Sequence, residues 1–253
     1  MAKNVHAQND RKNRLKTIQG GKHQSVPAQD LDWDPIGGNI DRQRDQSYLK
    51  TVRARTDGQQ ELLDAIKSHN LTMALGPAGT GKTYLAISSA VEALEAGDIE
   101  RIVLSRPAME AGESIGFLPG DMHEKMAPYL RPLYDALGDR MGGKRVRQLI
   151  DDGTIEIAPV GFMRGRTLNN SFVVIDEAQN CTYSQLKMLL SRLGWNSTMV
   201  VTGDPQQSDL LDSLSGLKDI AGRLESVPDI AVVRLSSSDI VRHPLVAKML
   251  DVL

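Results

Sequence analysis

The stretch Leu71–Leu85 reads LTMALGPAGTGKTYL, an apolar run, then a glycine-rich loop, then Lys82 and Thr83 at the start of a helical pattern. Its middle, Gly76-Pro77-Ala78-Gly79-Thr80-Gly81-Lys82-Thr83, fits G-x-x-x-x-G-K-[ST], in the context of a strand before and a helix after. Gly76, Gly79 and Gly81 can take backbone angles that aim successive N–H groups inward, making a concave anion site at the positive end of the helix. In that frame Lys82 reaches the β- and γ-phosphates of a nucleotide as a point charge, and the Thr83 hydroxyl helps to hold Mg²⁺. Pro77, Ala78, Thr80 and Tyr84 complete the binding stretch. The plain alternative is a glycine turn with Lys82 solvated, and the full spacing argues against it.

Working outward, Asp57 is expected to cap a helix whose apolar positions Leu62, Leu63 and Ile66 face a core. That helix leads into the strand before the loop and sets Gln59 or Gln60 at its start. A glutamine amide offers the donor and acceptor that grip the N6 and N7 edge of adenine, although two glutamines at a helix start are ordinary. Behind the loop, Lys82–Ala96 repeats apolar residues at helical spacing and stops at Gly97. Arg101–Pro107 is an apolar strand, and Arg106 at its end is either a phosphate contact or a rim salt bridge.

Residues 108–152 are the least regular part, with a helical stretch from Met122 to Leu137 that Pro128 and Pro132 should interrupt. Strands follow at Thr154–Pro159, Ser171–Asp176, Ser197–Gly203 and Ile230–Leu235, with helices over Tyr183–Leu193 and Val241–Leu253. Six apolar strands separated by helical crossovers predict an α/β fold, a mostly parallel sheet with helices on both faces.

An apolar strand that ends in Asp176 is the expected metal-binding partner of such a loop, and Glu177 beside it is placed to orient and deprotonate an attacking water. Gln207, in Gly203-Asp204-Pro205-Gln206-Gln207, supplies a neutral side chain for the γ-phosphate or the water, unless this is only a turn. Arg164 and Arg166 flank Gly165 after a strand end.

Composition agrees with a soluble globular protein: 253 residues, 40% apolar and 25% charged. With 30 Lys and Arg against 32 Asp and Glu, the net charge of −2 leaves any attraction to nucleic acid to a local patch. Lys3, Arg11, Lys12, Arg14, Lys16 and Lys22 against Asp10 and Asp30 make such a patch, read as a disordered basic arm. Residues 1–55 are thus expected to be arm and linker, with a short helix around Tyr48–Arg55, and residues 56–253 the folded domain. No run of a spanning length and no apolar signal region is visible, so no membrane contact and a cytoplasmic location are expected. The single cysteine, Cys181, reads as a small core residue rather than a reactive thiol.

Five stretches, GPAGTGKTYLA (76–86), SRPAMEAGESIGFLPGD (105–121), MRGRTLNNSFVVIDEAQN (163–180), VTGDPQQSDL (201–210) and DIVRHPLV (239–246), together resemble the PhoH family. The resemblance covers residue 56 to the C-terminus. It implies a single RecA-like P-loop ATPase domain, similar to the first core domain of superfamily 1 helicases, that uses ATP and Mg²⁺. By that likeness, Gly76–Thr83 is Walker A, Asp176 and Glu177 are Walker B, and Gln59 or Gln60 is the adenine-reading glutamine. Gln207 is likewise the glutamine of the GDxxQ motif, and Arg242 a candidate arginine finger or γ-phosphate sensor. Arg106, Arg164 and Arg166 are candidates for nucleic-acid or inter-subunit contacts. The chain carries one Walker pair, so a ring-like homo-oligomer, a hexamer, is expected to complete the site. The function implied is an RNA-associated, helicase-like ATPase acting on single-stranded RNA. The alternative is an ATP-dependent switch that governs assembly or partner binding without moving a strand.

Overall fold

Four short runs, Leu71–Leu75 (β1), Arg101–Arg106 (β2), Ser171–Ile175 (β4) and Thr198–Gly203 (β5), are buried almost throughout. Burial on both faces is what a parallel strand between two helix layers requires. Two further runs, Ile155–Pro159 (β3) and Ile230–Arg234 (β6), are only half-buried, and they form the edges. The computed structural model describes residues 52–107, 122–207 and 216–241, and the backbone alone for 122–128. Its sheet has six strands in the order β3-β2-β4-β5-β1-β6, every pair parallel. The α/β architecture expected from the strand pattern is the one observed.

Alternation along each strand divides the core into two layers. Ala74, Ile102, Leu104, Phe172, Val174 and Val200 face Asp57–Ser68 (α1), Lys82–Ala96 (α2), Met122–Met141 (α3) and Gly143–Asp151 (α4). Met73, Leu75, Val103, Val173, Ile175 and Met199 face Tyr183–Leu190 (α5) and Leu217–Leu224 (α6). Cys181 belongs to this second layer, and burial pushes its thiol up to about 12, which fits a core residue and not a nucleophile.

Several local expectations change. Thr56, not Asp57, caps α1, because its extended backbone turns its hydroxyl over the first turn to accept the Gln59 N–H, while Asp57 is already helical. Residues 52–55 are not helical, and the rest of the short helix expected around Tyr48 lies outside the described residues. The helix α3 runs unbroken through Pro128 and Pro132. Each proline costs about 3 kcal/mol in a helix interior. Burying Leu130, Leu133, Leu137 and Met141 at about 1.5–3 kcal/mol each outweighs that. The helix α4 has no counterpart in the sequence pattern; it buries Val146 and ties Arg145 to Glu95 of α2 at 2.6 Å. Of the closing helix expected over Val241–Leu253, all but Val241 lies outside the described residues.

The chain leaving β6 returns to the start of α1. Asp239, buried, accepts the Ser236 N–H at 2.8 Å and sits where a Cβ on Gly58 would come within 2.6 Å of its carboxylate. The Ser236 N–H first, then the Thr56 hydroxyl, hold the Asp239 carboxyl below its ordinary value. A depressed folded-state pKa means stabilisation that is complete above the unfolded value, about 3.9, and lost as pH falls through the folded value. Asp239→Asn is therefore expected to destabilise by about 1 kcal/mol at neutral pH. In thermal melts the gap to wild type should close below about pH 4; a gap independent of pH would contradict the assignment.

Candidate functional site

The strand order brings four loops together. β5 lies between β1 and β4, and β2 lies on the other side of β4. Ser105 is level with Ile175, and Ile175 with Val201, so the next residues, Arg106, Asp176 and Thr202, emerge side by side. Asp176 is the hub. Its Oδ1 accepts the Thr83 hydroxyl at 2.5 Å and the Thr202 hydroxyl at 2.7 Å, while its Oδ2 faces Arg106 Nη1 at 3.3 Å. Its backbone N–H donates to the Ser105 carbonyl at 2.8 Å, which fixes the carboxylate's origin on the sheet.

The glycine-rich loop closes over Lys82. The ammonium donates to the Gly76 carbonyl at 2.6 Å and the Pro77 carbonyl at 2.8 Å, so it is turned back onto the loop's own oxygens. Burial lowers the Lys82 pKa, and the charges of Asp204, Glu177 and Asp176, in that order, oppose the shift. Gly76 has φ 145°, and a Cβ there would stand 2.4 Å from the Leu235 carbonyl oxygen, so no other residue fits between β1 and the chain leaving β6.

Glu177 follows Asp176 in the left-handed region, at φ 52° and ψ 43°. One carboxylate oxygen, Oε2, accepts the Gln179 amide at 2.5 Å, and Oε1 lies 3.5 Å from Arg106 Nη2. Arg106 thus bridges the Asp176 and Glu177 carboxylates as an ion pair, and it does so inside the cluster rather than at the rim. Gln207 is exposed on the loop after β5 and donates its N–H to the Asp204 carbonyl at 3.1 Å.

Beside the loop lies a cavity of about 590 Å³ lined by Arg53, Arg55, Gln59, Gly79, Gly81 and Tyr84, among others. The two glutamines part here. Gln59 is buried and braces the loop: its Oε1 accepts the Arg55 N–H at 2.9 Å and its Nε2 donates to the Thr80 carbonyl at 2.9 Å. Gln60 is exposed, donates to Asp64, and lines a separate groove with Glu61 and His69. Of the two, only Gln59 lines the cavity beside the loop. Arg242 lies outside the described residues; its predecessor Val241 donates its N–H to the Gly79 carbonyl at 3.0 Å.

The other two arginines stand apart from this cluster, on the turn after β3. Arg166 forms a fork on Glu156, at 2.5 and 2.6 Å, and holds that carboxyl below its usual range. Arg164 is exposed and makes no ion pair or hydrogen bond among the described residues, and Phe162 near it is 61% exposed.

Thr202, Asp204, Gln179 and Arg55 escape a reading of the sequence alone. A hydroxyl one residue before Gly-Asp at a strand end carries meaning only once β5 is known to lie beside β4. Arg55 falls in a stretch that reads as linker, and its spacing to Gln59 is the available signal.

Among the described residues no group of three or more His, Cys, Asp or Glu side chains converges on a metal position. What the site offers instead is a pair of hard oxygens, Thr83 Oγ1 and Asp176 Oδ1, already in contact. That donor set suits Mg²⁺, which takes one or two protein oxygens and fills its shell with phosphates and water.

The family model described as PhoH-like protein matches residues 51–253. The chain belongs to the PhoH-like family. It is 52% identical over 203 residues to a PhoH-like protein of Bacillus subtilis (strain 168), covering 80% of this chain and 64% of that one. It is 44% identical over 210 residues to protein PhoH of Escherichia coli (strain K12), covering 82% of this chain and 59% of the other. The chain thus spans about three fifths of the length of these relatives. Among solved structures, the large terminase of a thermophilic bacteriophage superposes with a TM-score of 0.51 at 11% identity, covering 79% of this chain and 50% of that one. That is a likeness of fold alone. No helix among the described residues is long and apolar enough to cross a membrane.

Proposed function

We propose that the chain binds ATP with Mg²⁺ at the Gly76–Thr83 loop, hydrolyses it, and spends the cycle on single-stranded RNA. The observation that carries the hydrolytic part is the cluster of Lys82, Thr83, Asp176 and Glu177, which gathers beyond the ends of β1 and β4 with β5 between them. In this reading the Lys82 ammonium leaves the Gly76 and Pro77 carbonyls for the β- and γ-phosphates, and the loop N–H groups cradle the phosphate chain. Thr83 and Asp176 hold Mg²⁺, which when bound neutralises charge on the phosphates. Glu177 orients the attacking water and takes its proton, with Gln207 as a neutral partner at the γ-phosphate. Tyr84 and Arg55 border the cavity for the base, and Gln59 meets it from the loop side.

Arg164 and Phe162 support the strand contact, an exposed cation for a phosphate and an exposed ring for a base. Single-stranded RNA should stimulate the ATPase at low salt, and the logarithm of the RNA affinity read from that stimulation should fall linearly with the logarithm of salt concentration. Arg164→Ala should lower the stimulation and flatten that slope by about one phosphate contact. No response to RNA at low salt would favour the switch reading, in which nucleotide governs assembly alone. We also propose that neighbouring copies complete the site as a ring, a hexamer, with Arg242 as the residue offered across the interface. A chain that stays monomeric in light scattering with ATP and Mg²⁺ while turning over at full rate excludes the ring.

A further inference from the structure

Gln179 lies two residues beyond Glu177, is 5% exposed, and uses both ends of its amide on catalytic loops. Its Nε2 donates to Glu177 Oε2 at 2.5 Å, and its Oε1 accepts the Asp204 N–H at 3.1 Å. The first contact holds the carboxylate that follows β4; the second reaches the start of the loop that follows β5 and carries Gln207. An amide carries a donor and an acceptor on one planar group, and a carboxylate at 179 would face Glu177 oxygen to oxygen. The strand end is shaped to admit it. A Cβ on Gly203 would stand 2.9 Å from Gln179 Oε1 and 2.6 Å from Leu217 Cδ2.

Glu177 needs such a hold. A non-glycine residue at φ 52° is in a region that L side chains enter at a cost of roughly 1–2 kcal/mol, and it persists only where contacts fix it. Of the contacts on its carboxylate, the amide at 2.5 Å is the short one, and Arg106 at 3.5 Å is the loose one. The carboxylate is therefore held through Oε2, and Oε1, with the looser contact, is the oxygen more open to water.

We propose that Gln179 is a positioning residue for hydrolysis: it sets the rotation of the Glu177 carboxylate and ties it to the Asp204–Gln207 loop, so that base and γ-phosphate loop move as one body. The proposal rests on the reading of Glu177 as the group that orients the attacking water.

Gln179→Glu isolates the link. It keeps the acceptor for the Asp204 N–H and replaces the donor to Glu177 by a like charge. In the full chain, with ATP and Mg²⁺, kcat should fall about 10- to 100-fold while KM for ATP and the affinity for a fluorescent ADP analogue stay within about threefold. In single-turnover measurements the double variant E177Q/Q179E should be no more than about twofold slower than E177Q, because a residue that acts only through Glu177 has nothing further to lose. If Q179E melts well below wild type, Gln179→Met, uncharged and of similar length, should show the same loss of kcat with KM preserved. Wild-type kcat in a folded Q179E or Q179M, alongside a blocked E177Q, overturns the proposal alone. So do losses that multiply in the double variant, as an independent packing role would give. Normal turnover by E177Q instead removes the base assignment, and this inference with it.

Discussion

Lys82→Ala is expected to weaken ATP binding by at least about 100-fold and to leave no measurable turnover. The ammonium makes two short hydrogen bonds to the loop carbonyls, of Gly76 and Pro77, and those are the bonds it can exchange for phosphate oxygens. A hydrogen bond to a charged group contributes about 1.5–3 kcal/mol, and two such contacts to the β- and γ-phosphates account for a loss of that size. Burial of Lys82 strengthens the effect, since its surroundings screen charge less than water does. Lys82→Arg should not rescue, because a planar guanidinium does not fit where a compact point charge reaches over the loop. Titration with a fluorescent nucleotide measures this directly. Affinity within about threefold of wild type in Lys82→Ala would show that the loop does not hold the phosphates.

Glu177→Gln should separate binding from chemistry. The amide keeps the shape of the side chain and can still bond Gln179, so nucleotide affinity is expected to change little. Loss of the proton acceptor should lower kcat by about 10²- to 10⁴-fold. ATP, rather than ADP, should then be the species recovered from the variant after rapid desalting. The two variants fail in opposite ways, one empty and one loaded, and that contrast tests the site as a whole. Recovery of ADP at the wild-type rate from Glu177→Gln would assign the base elsewhere.

Much of this site is legible without coordinates. The Gly76–Thr83 loop announces itself by glycines at fixed offsets between a strand and a helix, and the apolar run ending in Asp176-Glu177 by the acidic pair that closes a buried strand. Both are local demands, satisfied within a few residues. The choice between Gln59 and Gln60 is not legible, since one step along a helix turns a side chain by about 100° and only packing says which direction meets the loop. The continuity of α3 through Pro128 and Pro132 is hidden for the same kind of reason: the cost of a proline is local, and the apolar burial that exceeds it is not. Arg106 reads equally as a phosphate contact or an ion pair, and only the register of β2 against β4 shows that its side chain turns onto Asp176 and Glu177.

From the amino-acid order alone came the glycine-rich loop, the acidic strand end and the alternation of apolar strands with helical crossovers, because each is written in neighbouring residues. Tertiary structure alone decided that β5 runs between β1 and β4, and with it that Thr202, Asp204 and Gln179 join the site. Those contacts depend on which strands lie side by side, a long-range outcome of burying two helix layers against one sheet, and no short stretch of sequence records it.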